Sequence, residues 1–89
     1  MQVEELRPGL WRWSALRDGE ELWCVYYEAP NATVLIDPVV PSERELFFRA
    51  LDRDVERRSV PVAILCTSAE SEALASELAE RYSATILRA

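Results

Sequence analysis

The chain has 89 residues, 49% of them apolar and 29% charged, a balance that fits one globular domain over 1–89 and excludes a disordered tail. By surface scaling it buries about 64% of its unfolded surface, enough for a two-layer core but not for a core plus a deep, walled active site. Net charge is −6, from 16 acidic residues against 10 arginines and no lysine, and such an acidic balance repels phosphate backbones and anionic lipid, so neither nucleic acid nor membrane is expected as a partner.

Histidine is absent. That removes the commonest general base, the commonest transition-metal ligand and every triad that needs an imidazole. Cys24 and Cys66 sit 42 apart inside apolar runs. Without histidine they make no zinc site, so they are expected to be buried, reduced thiols. The start, Met1-Gln2-Val3-Glu4-Glu5, has no basic-then-apolar signal. The longest uncharged run, Ser59–Ala69, is too short to span a bilayer, so a cytoplasmic location is expected.

Along the chain, Leu10–Ser14 and Leu22–Tyr27 flank Asp18-Gly19, a hairpin-turn dipeptide whose residues tolerate positive φ. Thr33–Asp37 is a third strand, ended by Pro38. Its Val34–Ile36 core is apolar on both faces, as in a central strand covered on both sides. Ser42 and Glu45 form a capping-box pattern at the head of a helix whose buried stripe is Leu46, Phe47, Ala50, Leu51 and Val55. Glu45–Arg49 and Asp54–Arg58 are i,i+4 pairs in the favourable order. Val62–Cys66 is another strand. Thr67-Ser68-Ala69-Glu70 repeats the capping pattern before a helix with core residues Leu74, Ala75, Leu78, Ala79 and Tyr82 and an outer Glu77–Arg81 pair, and Ala84–Leu87 is a last short strand. The order β-β-β-α-β-α-β predicts an α/β fold, a mixed sheet with helices on one face.

Leu35-Ile36-Asp37-Pro38, a helix, a strand ending in Thr67, and a second helix ending Leu78-Ala79-Glu80-Arg81-Tyr82-Ser83-Ala84 resemble the N-terminal half of a metallo-β-lactamase-fold hydrolase. The opening Pro8-Gly9-Leu10-Trp11-Arg12-Trp13 fits the same start, and the likeness spans nearly the whole chain. The resemblance implies half of an αββα sandwich. It also implies metal-ligating histidines after the strand-end threonine, but Ser68, Glu70, Glu72 and Ala73 stand at the ligand positions and Ser71 where a lone histidine would fall. The likeness therefore supports the fold and opposes the activity.

Asp37, Glu70 and Glu72 are the carboxylates at the strand ends that could form an oxygen-only metal site. The plainer reading places Glu70 and Glu72 in a first helical turn, where the helix dipole favours anions, and Asp37 as a loop cap. Ser68 and Ser71 have no histidine or lysine to act as base. Tyr26, Tyr27 and Tyr82 lie on core patterns, while Trp11, Trp13 and Trp23 offer either a sheet cover or a stacking platform for a small ligand.

The leading expectation is a non-catalytic interaction or structural module that self-associates as a homodimer. Its sheet face carries Trp23, Val25, Tyr27, Trp11 and Trp13. The alternatives are a metal-dependent hydrolase, residual or completed by a second chain, and a ligand-binding module built on the tryptophan hairpin. A heterologous protein supplying the second half is the other possible partner. No cofactor is expected. Elemental analysis of dialysed protein should find no stoichiometric zinc, iron or manganese, and about one such ion per chain would overturn this reading.

Overall fold

The computed structural model describes all 89 residues. Strand β1 (Val3–Arg7) turns at Pro8-Gly9 into β2 (Leu10–Arg17), and β3 (Glu20–Ala29) follows across Asp18-Gly19. Asp18 and Gly19 adopt φ of 52° and 78°, the paired positive values that let a two-residue turn follow the twist of its strands. Pro30-Asn31 leads to β4 (Ala32–Ile36), then come α1 (Arg44–Arg58), β5 (Val62–Cys66), α2 (Ala69–Tyr82) and β6 (Thr85–Arg88). The predicted order holds, with β1 added in front. That strand has no apolar alternation, because all five of its residues are exposed on a sheet edge.

The sheet runs in chain order, β1 to β6. Strands β1 to β4 pair antiparallel, and β4–β5 and β5–β6 pair parallel. Both helices pack on one face. Phe47, Phe48 and Leu51 of α1 and Ala75 and Leu78 of α2 join Trp13, Ala15, Cys24, Tyr26, Leu35, Val62, Ile64 and Cys66 in one core. These strand residues share one face by register and alternation. The opposite face has no second layer, so Val34 and Ile36 remain half-buried. The expectation that β4 is covered on both sides fails for that reason.

Helix α1 departs from its predicted details. It begins at Arg44, with Glu43 at the N-cap position and no side-chain cap. Ser42 lies one residue too early and its hydroxyl donates to Glu43 instead, at 3.1 Å. Leu46 is 60% exposed and Ala50 is exposed too, while Phe48 is buried at the seam with α2, where the Arg81 and Arg44 guanidiniums lie 4.2 and 5.1 Å from its ring centre. In α2 the cap is Ser68, which accepts from the Ser71 amide at 3.1 Å, one residue later than the Thr67–Glu70 pattern.

The predicted pairs within helices give way to bonds between elements, since α1 and α2 lie side by side. Arg44 pairs with Glu77, and Arg81 with Asp52 at 2.6 Å. Arg58 donates to the carbonyls of Ala29 and Ala32 at 2.6 and 2.9 Å, closing the β3–β4 turn against the end of α1. Cys24 and Cys66 are free and buried, as expected, and burial pushes the Cys24 thiol up to about 11.

Trp13 pins the hairpin to the helices. It is 6% exposed, its ring lies 5.4 Å from that of Phe47, and its indole N–H donates to the Val39 carbonyl at 3.0 Å. Trp13→Ala should lower stability by about 3–5 kcal/mol, through a cavity and an unpaired carbonyl. Trp11→Ala, at a half-open position, should cost under about 1 kcal/mol. Urea denaturation of the two variants checks the contrast, and equal losses would contradict it.

Candidate functional site

The face without helices is defined by the register. One row across the sheet reads Leu10, Tyr27, Val34, Ala63, Thr85, and the next reads Arg12, Val25, Ile36, Leu65, Leu87. Trp23 extends the face beside Ser14. From β2 to β6, only Arg12 and Glu21 bring charge to it. Trp23 is 37% exposed, Tyr27 42% and Leu87 50%. Arg12 lies over the Trp23 ring, 4.2 Å from its centre, and contacts Glu4 of β1 at 3.2 Å, so the one cation on the face is tied down at its rim.

The five residues expected to share an interface therefore divide between the two faces. Trp23, Val25 and Tyr27 lie together on the bare face, while Trp11 and Trp13 point to the helix side and Trp13 is core. The hairpin's two-residue period shows that Trp11 and Trp13 share a face. Which face that is depends on the register with β3, which places Trp13 opposite Cys24 and Ser14 opposite Trp23. Tyr27, read as a core residue, is among the exposed ones.

Trp11 helps line a second feature, a groove of about 490 Å³ between the β1–β3 end of the sheet and α1. Two helices do not reach across six strands, so this end of the helix face stays open. Trp13, Leu46 and Phe47 form its apolar walls, and Glu28 and Arg57 bring charge to it. Glu28 accepts from the Tyr26 hydroxyl at 2.7 Å and from Arg57 at 2.5 Å. The Tyr26 hydrogen bond, with Arg57 adding to it, holds the Glu28 carboxyl below the usual range against the opposing effect of burial. Burial, and then Glu28 itself, push the Tyr26 phenol up. No motif marked this cluster in the sequence, although Tyr26 and Glu28 do share strand parity.

At the carboxyl ends of the parallel strands, Asp37 and Thr67 meet as the topology requires. Asp37 has a φ of 46°, a left-handed conformation that aspartate tolerates better than most residues. Its carboxylate accepts from the Thr67 amide and hydroxyl at 2.8 and 2.6 Å and from the Ser71 hydroxyl at 2.5 Å. Glu70 is exposed, and Glu72 turns to Arg88 of β6 at 2.8 Å. The three carboxylates do not converge, and no three His, Cys, Asp or Glu side chains lie close enough together to hold an ion. With three donors on its carboxylate, Asp37 ties β4 to β5 and to the start of α2.

No protein-family model matches the chain, and no curated protein does. No helix is long and apolar enough to cross a membrane.

Burial pushes the Asp37 pKa up, but the hydrogen bonds from Ser71 and Thr67 outweigh it and leave the carboxyl below its ordinary 3.8. A depressed folded-state value adds stability above the unfolded value and loses it as pH falls through the folded one. Asp37→Asn should therefore cost about 1 kcal/mol near neutral pH, allowing for solvent screening. The difference from the parent should shrink as pH drops below about 4. Thermal melts across this range check the sign, and a gap that widens in acid would contradict it.

Proposed function

We propose that the chain is a non-catalytic interaction module, a half-sandwich whose working surface is the sheet face without helices. The observation that carries this reading is the two apolar rows from β2 to β6, with Trp23 beside them and a single rim cation. A contiguous, nearly uncharged apolar surface of a few hundred Å² is the kind of patch that marks an interaction site. The folded chain exposes 5679 Å², somewhat more than the roughly 5,300 Å² expected for a compact chain of its mass. Side-chain chemistry argues in the same direction. With no imidazole and no lysine, the nucleophile–base pairs that drive most hydrolytic sites cannot be assembled, and the Asp37 carboxylate is engaged by its own neighbours. The arrangement supports the likeness to half of a metallo-β-lactamase sandwich as a matter of architecture, with the metal chemistry absent from the side chains.

A second reading rests on the groove beside Trp11, where an apolar wall meets the Tyr26–Glu28–Arg57 cluster. That combination suits a small ligand with an apolar body and a polar end.

A hydrophobic dye separates the two surfaces. At sub-micromolar protein, bis-ANS fluorescence should fall several-fold in Trp23→Glu and in Val25→Glu, and change little in Leu46→Glu at the groove. Circular dichroism confirms that each variant is folded. A loss confined to Leu46→Glu would move the working surface to the groove.

A further inference from the structure

We infer that the occupant of the bare face is a second copy of the chain, packed sheet to sheet about a two-fold axis that runs along β4. This rests on the reading of that face as the working surface.

Shape is the first argument. The row Leu10, Tyr27, Val34, Ala63, Thr85 runs from a bulky aromatic on β3 to small side chains on β5 and β6. In this row the face has a ridge on one side of β4 and a shelf on the other. In the next row the relief is reversed, with Val25 on β3 and the larger Leu65 and Leu87 on β5 and β6. A two-fold axis lying in the interface, parallel to the strands and near β4, reverses the strand order of the second copy and keeps its height. Tyr27 of each copy then stands over Ala63 of the other, Leu10 over Thr85 and Val25 over Leu65, and β4 lies over β4. A two-fold contact needs one self-complementary patch, and a ridge beside a shelf is such a patch. An axis at right angles to the strands, along the first row, would instead set ridge on ridge. The near alignment of strands is also the common geometry of stacked sheets, which pack about 10 Å apart.

Size is the second argument. With β4 over β4, the five strands β2 to β6 overlap and β1 overhangs. At about 4.8 Å apart and about five residues tall they present roughly 400 Å² of flat sheet per copy, so two copies bury on the order of 800 Å² before side-chain relief, the small end of the scale, where association is weak and reversible.

Charge is the third. Two chains at −6 each repel, but the ion pairs Arg44–Glu77, Arg81–Asp52, Arg57–Glu28 and Arg88–Glu72 all lie on the helix side. Face-to-face packing turns these layers outward and keeps the acidic surplus in solvent. The Arg12–Glu4 pair stays at the rim, where it needs no partner from the other copy.

Light scattering of the full chain from about 1 to 200 µM should show a species of twice the chain mass that dissociates on dilution, a range suited to an interface of this size. Val25→Glu should leave one chain mass throughout, and Arg53→Glu on the exposed side of α1 should leave the dimer intact. Ala63→Tyr fills the shelf and Tyr27→Ala removes the ridge. Each should weaken the dimer at least tenfold, and the double variant, with ridge and shelf exchanged, should regain most of the loss. A single chain mass at every concentration overturns the second copy, while the dye loss in Trp23→Glu and Val25→Glu would still uphold the face. A dimer indifferent to Val25→Glu overturns the face as well. A double variant no tighter than Ala63→Tyr overturns the axis along β4.

Discussion

The handedness of two crossovers governs this molecule. Strands β4, β5 and β6 step across the sheet in one direction, and parallel crossovers are right-handed almost without exception. Two crossovers of one hand that step the same way must put their helices on the same side. The core, with Leu35 and Ile64 fully buried under α1 and α2, follows from that, and so does the absence of any cover on the other side. The groove follows too, because both helices belong to the β4–β6 half and α1 covers the β1–β3 end only in part, at Trp13 and Tyr26.

The arginines reinforce the same division. Arg58 closes the β3–β4 turn from the end of α1, Arg44 and Arg81 stitch the two helices together, and Arg88 joins β6 to α2. Exposed ion pairs of this kind contribute little each. Their effect here is geometric, because they fix which elements are neighbours and hold the charged side chains on the helix layer. Arg12 is the exception. It lies over Trp23 and reaches Glu4, so the one cation of the bare face is held at its margin, and Glu21 is the only other charge from β2 to β6 there.

Much of this was legible in the residues. Asp18-Gly19 marked its turn because the backbone there needs positive φ, and Val62–Cys66 read as a strand because five apolar residues ending a crossover leave little else. Other features depended on tertiary packing and left no local trace. β1 gains its pairing from β2 and buries no side chain, so its polar sequence carried no signal. Phe48 and Leu46 are both apolar, and only the position of α2 decides which is covered. The i,i+4 charge pairs were sound for an isolated helix, yet a neighbouring helix offered Arg44 and Arg81 partners across the seam. Asp37 and Thr67 were read together from a family pattern, and strand-end geometry brings them into contact, while Glu70 and Glu72 point elsewhere.

The two borders of the sheet are unlike. At β1 the register slips between Glu5 and Arg7, and charged side chains crowd the strand, two devices that discourage a further strand from adding on. At β6 the strand is Thr85-Ile86-Leu87-Arg88, regular in its pairing with β5 and uncharged for three of its four residues. Sideways growth of the sheet, by a grafted strand or by misassembly, is thus directed to one border. Lateral propagation in this fold has a polarity, and a single charge introduced at Leu87 or Thr85 sits where it would be stopped.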